Sequence, residues 1–171
     1  KKMAAITLKG NSINTVGTLP ATHTKAIDVE LVKTDLSSLK FSDFLGTNLV
    51  LNIFPSIDTG TCAASVRKFN EKAAGLNTTK VICISRDLPF AQNRFCGAEG
   101  LQNVINASDF RTGEFGKTYG LEIIDGALKG LHSRVVIIID KFGNIVYSEQ
   151  VGEIVDEPNY DAALAKIATL A

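Results

Sequence analysis

The chain has 171 residues, and its 18 Lys+Arg against 18 Asp+Glu give a formal charge of zero; nucleic acid and anionic membrane, which select clustered basic surfaces, are excluded as default partners. A hydrophobic fraction of 45% with only 4 Pro suits one compact core, so a single domain over residues 1–171 is expected. The longest unbroken apolar run, Val135 to Ile139, is five residues against roughly 20 for a bilayer span, so no transmembrane helix is expected.

In chain order, Lys1 and Lys2 precede too short an apolar stretch for a signal-peptide core, and a cytoplasmic protein is favoured, with the periplasm open if a leader has been removed. Ile6-Thr7-Leu8 and Ile13-Asn14-Thr15-Val16, separated by Gly10-Asn11-Ser12, predict a small hairpin. Ala26 to Lys33 alternates in the same way, and Asn48 to Phe54 is a denser apolar run that predicts a central strand covered on both faces. After the polar turn Ser56 to Thr61 the period changes. Cys62, Val66, Phe69 and Ala73 then form one stripe of an α-helix, with Gly75 as its stop.

Lys80 to Ser85 predicts a buried strand, and Pro89 to Cys96, closed by Gly97, a short helix started by proline. Val104 to Ala107 predicts a short strand, and Thr112 to Tyr119 a short helix closed by Gly120. Arg134 to Asp140 and Ile145 to Val151, joined by Lys141-Phe142-Gly143-Asn144, predict a β-hairpin. Tyr160 to Leu170 predicts a terminal amphipathic helix capped by Asn159 after Pro158. Strands and helices alternating through the middle, then a hairpin and a helix, resemble the order of a thioredoxin-like α/β fold: a central mixed sheet flanked by helices, here with an N-terminal β-hairpin.

Three cysteines are an odd number, so at least one thiol stays free or pairs between chains. Cys62 stands after a turn at the predicted start of a helix, where orphan N–H groups and the positive end of the helix dipole favour a thiolate. It also shares a stripe with Val66 and Phe69, as a small buried hydrophobe would. Cys83 sits in the run Val81-Ile82-Cys83-Ile84 and reads as packing. Cys96, from position alone, reads as a buried residue at the end of a short helix.

The residues before Cys62 shift this balance. Pro55, Thr59 and Cys62 make P-x-x-x-T-x-x-C, in which Thr59 is placed to bring a hydroxyl near the sulfur and Pro55 stiffens the pocket wall. The motif resembles that of the peroxiredoxins. The wider run Asn52 to Asn70 is similar to one branch in particular, the bacterial thiol peroxidases, which are atypical two-cysteine peroxiredoxins. Asp87-Leu88-Pro89-Phe90-Ala91-Gln92-Asn93-Arg94-Phe95-Cys96 resembles the segment carrying the resolving cysteine in that branch. Closing a loop of roughly 30 residues corresponds to about 4 kcal/mol of cross-link effect. Gly130 to Asp140 resembles the family's arginine-bearing strand, and Arg134 fits the active-site arginine; Arg67, on the helix of Cys62, ranks below it.

What the resemblance implies is a thiol-dependent peroxidase. Cys62 becomes a sulfenic acid, Cys96 closes a Cys62–Cys96 disulfide, and Thr59, Arg134 and Pro55 shape the site. Hydroperoxide, organic in preference, is the implied substrate, thioredoxin the reductant and a homodimer the working form, with no metal or organic cofactor. Two other classes compete. A Cys–His hydrolase needs an imidazole near Cys62, for which only His23 and His132 exist. A non-enzymatic redox sensor or binding module would form the same disulfide without turnover.

Overall fold

The computed structural model describes residues 2–170. An antiparallel hairpin of β1 (Ala5–Leu8) and β2 (Asn11–Asn14) stands apart from a seven-stranded mixed sheet built from β3 (Leu31–Lys33), β4 (Ser38–Leu39), β5 (Asn48–Ile53), β6 (Thr79–Ser85), β7 (Val104–Ser108), β8 (Val135–Ile139) and β9 (Ile145–Gln150). The strand order is β4-β3-β7-β6-β5-β8-β9. The central strands β5, β6 and β7 are parallel, whereas β8 runs antiparallel to β5. The α-helices are α1 (Gly60–Ala73), α2 (Pro89–Glu99), α3 (Glu114–Thr118) and α4 (Tyr160–Ala168).

Both faces of the central strands are covered, which is why they read as dense apolar runs. Leu49, Leu51, Ile53, Ile82, Ile84, Val135 and Ile137 pack on one face with Phe115 of α3 and Tyr119. Val50, Val81, Cys83, Val136 and Ile138 face the other way, against Cys62, Val66 and Phe69 of α1 and Ala163 and Ile167 of α4. The period of two along each strand sorts the residues between these two cores.

The structure corrects three element boundaries. Of the alternating run Ala26–Lys33 only Leu31–Lys33 is strand. The preceding residues bond elsewhere: Ala26 N–H donates to Gly143 O (2.9 Å) and Ile27 O accepts from Tyr119 Oη (2.6 Å). Alternation without a neighbouring ladder makes no strand. Helix α2 continues past Gly97 to Glu99 and stops at Gly100, whose φ of 66° is the left-handed conformation that glycine adopts without strain. Cys62 is the third residue of α1, not the first, because the helix begins at Gly60 with Thr59 as N-cap. The Asn159 cap forms as expected, its Oδ1 accepting from Ala162 N–H at 3.0 Å.

Candidate active site

Strand register brings the site together. In the β5–β8 pair Ile53 lies opposite Val135, so Arg134, just before β8, meets the chain leaving β5 through Pro55 towards Cys62. The site therefore forms at the carboxyl end of the parallel strands, where α/β sheets open a crevice. Arg134 Nη2 donates to Cys62 Sγ at 3.3 Å and Arg134 Nε to Ile154 O at 2.9 Å. Arg134 is only 2% exposed and Cys62 is fully buried. Arg134 Nη1 is buried without a partner among the described residues. A guanidinium in this setting holds a charge-assisted contact to the sulfur and keeps a second donor for an incoming acceptor.

Helix α1 presents the sulfur. Ala63 N–H makes the first helical bond, to Thr59 O at 2.9 Å, so Cys62 stands in the turn whose N–H groups lack helical partners. Ser65 Oγ donates to Cys62 O (2.7 Å) and accepts from Asn52 Nδ2 (3.1 Å), which ties this turn to β5. Asp87, after β6, holds the approach: its carboxylate accepts from Ser56 Oγ (2.7 Å), Ile57 N–H (2.7 Å) and Ser85 Oγ (2.6 Å). Pro55 is buried in that wall. Thr59 is exposed, and its hydroxyl donates to Ser56 O at 3.1 Å, turned towards the loop and not to the sulfur.

The other candidates lie as follows. Arg67 is not at the sulfur: it forms a two-pronged ion pair with Glu99 of α2 (2.5 and 2.6 Å), because five residues along α1 its side chain has turned out to solvent. All three cysteines are free thiols. Cys83 is fully buried and its thiol is pushed up to about 12 by burial, with Asn52 as a long, weak donor at 3.7 Å. It stays protonated near neutral pH. Cys83→Ala is expected to leave peroxide turnover unchanged and to cost about 1 kcal/mol of stability for the lost packing, measured by steady-state assay and denaturant melts.

The imidazole that a hydrolase needs is absent from Cys62. His132 is buried with Nε2 at 2.9 Å from Asp109 Oδ2, and its ring packs on Phe115 at 5.6 Å, on the opposite face of the sheet. Strand alternation would set His132 beside Arg134. The chain is not yet strand there, however, and His132 bridges Glu122 instead. His23 is exposed.

Two groups at the site were invisible in the sequence. One is Ile154 O, a backbone acceptor for Arg134 that no side-chain motif encodes. The other is Glu153, whose carboxylate accepts from Gly10 N–H (2.8 Å) and Lys9 N–H (3.1 Å) in the hairpin turn. Those bonds hold its pKa below the usual carboxylate value. Ile154 itself packs on Ile6 and Ile13. The N-terminal hairpin is thereby part of the support of Arg134.

A thiol held by a buried arginine, on a thioredoxin-like sheet, defines the class. The model of the Redoxin family matches residues 17–164, and the chain belongs to that family. It is 53% identical to the thiol peroxidases of Mycobacterium bovis and of Mycobacterium tuberculosis over 165 residues, which covers 96% of this chain and 99% of theirs. Among solved structures, a peroxiredoxin-like protein from Aquifex aeolicus superposes with a TM-score of 0.93 at 41% identity and full coverage of both chains. A thiol peroxidase from Chromobacterium violaceum shares the fold, with a TM-score of 0.89 at 21% identity over 98% of each chain. The activity is that of a thiol-dependent peroxidase of the peroxiredoxin type. Among the described residues no helix is long and apolar enough to cross a membrane, and no group of three or more His, Cys, Asp or Glu is placed to hold a metal ion.

Proposed function

We propose that Cys62 is the peroxidatic cysteine and Cys96 the resolving one. The Cys62 thiolate attacks the terminal oxygen of a hydroperoxide, the O–O bond breaks, and the departing oxygen leaves with a proton as alcohol or water. The other oxygen stays on Cys62 as a sulfenic acid. Arg134 holds the sulfur through Nη2, and its spare Nη1 receives the negative charge that grows on the leaving oxygen. Pro55 walls the pocket, and the Thr59 hydroxyl swings from Ser56 O to position the peroxide. Cys96 then condenses with the sulfenic acid, releasing water and leaving a Cys62–Cys96 disulfide within one chain.

A thioredoxin-type dithiol reduces that disulfide, organic hydroperoxides are the preferred substrates, and a homodimer in the cytoplasm is the working form. The observation that carries the reading is the Arg134 guanidinium, with Nη2 at 3.3 Å from Cys62 Sγ and Nη1 unpartnered. One equivalent of cumene hydroperoxide added to the reduced protein is expected to remove two of its three thiols; loss of none overturns the scheme. Cys96→Ser is expected to trap the sulfenic acid, read by a sulfenate-specific probe.

A further inference from the structure

Cys62 and Cys96 sit in opposite electrostatic settings. Cys62 lies in the first turn of its helix with the Arg134 guanidinium beside it. Cys96 lies in the last turns of α2, nearer the helix end where the dipole disfavours an anion. It is 8% exposed, and burial pushes its thiol up, the neighbouring Glu99 carboxylate adding to the effect. The nearby cation, Arg67, is engaged by that same Glu99. A resolving cysteine must nevertheless attack as a thiolate.

One group faces this sulfur. Asn106 Nδ2 donates to Cys96 Sγ at 3.0 Å. Asn106 is on β7, opposite Cys83 of β6, and is itself only 8% exposed. Its Oδ1 is buried with no partner among the described residues. An unsatisfied buried oxygen costs about 1–3 kcal/mol, which an apolar side chain at this position would avoid. Turning the amide over would let Oδ1 accept from the Cys96 S–H, so the same side chain serves the thiol with its oxygen and the thiolate with its nitrogen.

We propose that Asn106 is a catalytic residue of the resolving step, its amide holding Cys96 Sγ as the attacking thiolate; this rests on the role proposed above for Cys96. The Cys96 thiol loses its proton, the thiolate attacks the sulfur of the Cys62 sulfenic acid, the S–S bond forms and the S–O bond breaks. The departing hydroxide takes up a proton as water. Cys96 is oxidised and the sulfenic sulfur is reduced, so no outside redox partner enters the step. Cys96, Asn106 and Asn93 line a cavity of about 440 Å³, which gives the departing proton a route to solvent.

The test is single-turnover kinetics with cumene hydroperoxide on Asn106→Leu and on the near-isosteric Asn106→Asp. Sulfenic acid is expected to form on Cys62 at the parent's rate. Disulfide closure is expected to slow about tenfold or more, as loss of one hydrogen bond to a charged group implies. The pH profile of closure moves to higher pH, which a merely structural role would not produce, and excess peroxide drives more Cys62 to the sulfinic acid. Closure at the parent's rate and pH midpoint in both variants overturns the proposal. In a Cys62→Ser background, alkylation of Cys96 is expected to require higher pH once Asn106 is replaced; an unchanged profile equally overturns it. Cys96→Ser run alongside separates the two claims. If that variant still closes an intramolecular disulfide, the resolving role of Cys96 fails, and the assignment to Asn106 fails with it. If it traps the sulfenic acid while both Asn106 variants close normally, only the assignment to Asn106 fails.

Discussion

Cys62→Ser is expected to consume no hydroperoxide while remaining folded. In the proposed scheme the sulfur is both the nucleophile and the atom that carries the oxygen away. A serine hydroxyl is scarcely ionised near neutral pH, and its oxygen cannot take up a second oxygen as sulfenic acid does. Loss of a catalytic nucleophile costs on the order of 10⁶-fold in turnover in well-characterised enzymes, which here means a rate at background. The fold survives because serine is close in size and its Oγ can still accept from Arg134 Nη2, so the guanidinium is not left unpaired. Peroxide consumption in a coupled reductant assay measures the first effect and thermal melting the second. Consumption near the parent's rate would place the reactive sulfur elsewhere, and Cys96 would be the next to test.

Arg134→Met is the second large effect. Methionine keeps much of the apolar stem but removes the charge beside Cys62, the donor to Ile154 O and the free Nη1. Loss of a donor aimed at developing charge costs about 10²–10³-fold, and kcat/KM for organic hydroperoxide is expected to fall by at least that much. Alkylation of Cys62 by iodoacetamide at pH 7 is expected to slow alongside, since the charged donor to the sulfur is gone. Arg134→Lys separates charge from geometry. An ammonium restores the cation but lacks the planar fork that reaches Ile154 O and Cys62 Sγ together, so alkylation recovers more than peroxidase activity does. Equal recovery of both would mean that charge alone is needed.

Ile154 O gives the arginine its orientation, and the position of that carbonyl depends on distant parts of the chain. Thr7 N–H donates to Gly152 O (2.8 Å) and Ile154 N–H to Thr7 O (2.9 Å), so β1 holds the segment that carries the carbonyl. Thr61 Oγ, next to Cys62, donates to Val155 O at 2.9 Å. The loop after β9 thus touches both the arginine and the first turn of α1, and the hairpin holds it in place.

Periodicity made the elements legible because burial on one or both faces imposes it. The dense runs of β5, β6 and β8, the stripe of α1 and the Asn159 cap are all local, and their residues carry the signal themselves. Ala26–Lys33 misled because alternation reports a half-buried face and not a hydrogen-bonded neighbour. Gly97 misled because the backbone stays helical there and turns left-handed only at Gly100. His132 stood beside Arg134 in sequence but faces the other core, since alternation does not hold before β8 begins.

By itself the sequence determined the thioredoxin-like order of elements, the two cysteine segments, and Arg134 as the residue to test, because motif and period are carried by neighbours in the chain. Only the tertiary structure decided which groups meet. The Ile53–Val135 register sets Arg134 on Cys62, Arg67 turns away to Glu99, and Asn106 comes under Cys96 from another strand. These pairings join residues far apart along the chain, and strand register and helix docking create them. The Ile154 carbonyl lies furthest from any motif, since every residue carries the same group and only its place in the fold makes it an acceptor for Arg134.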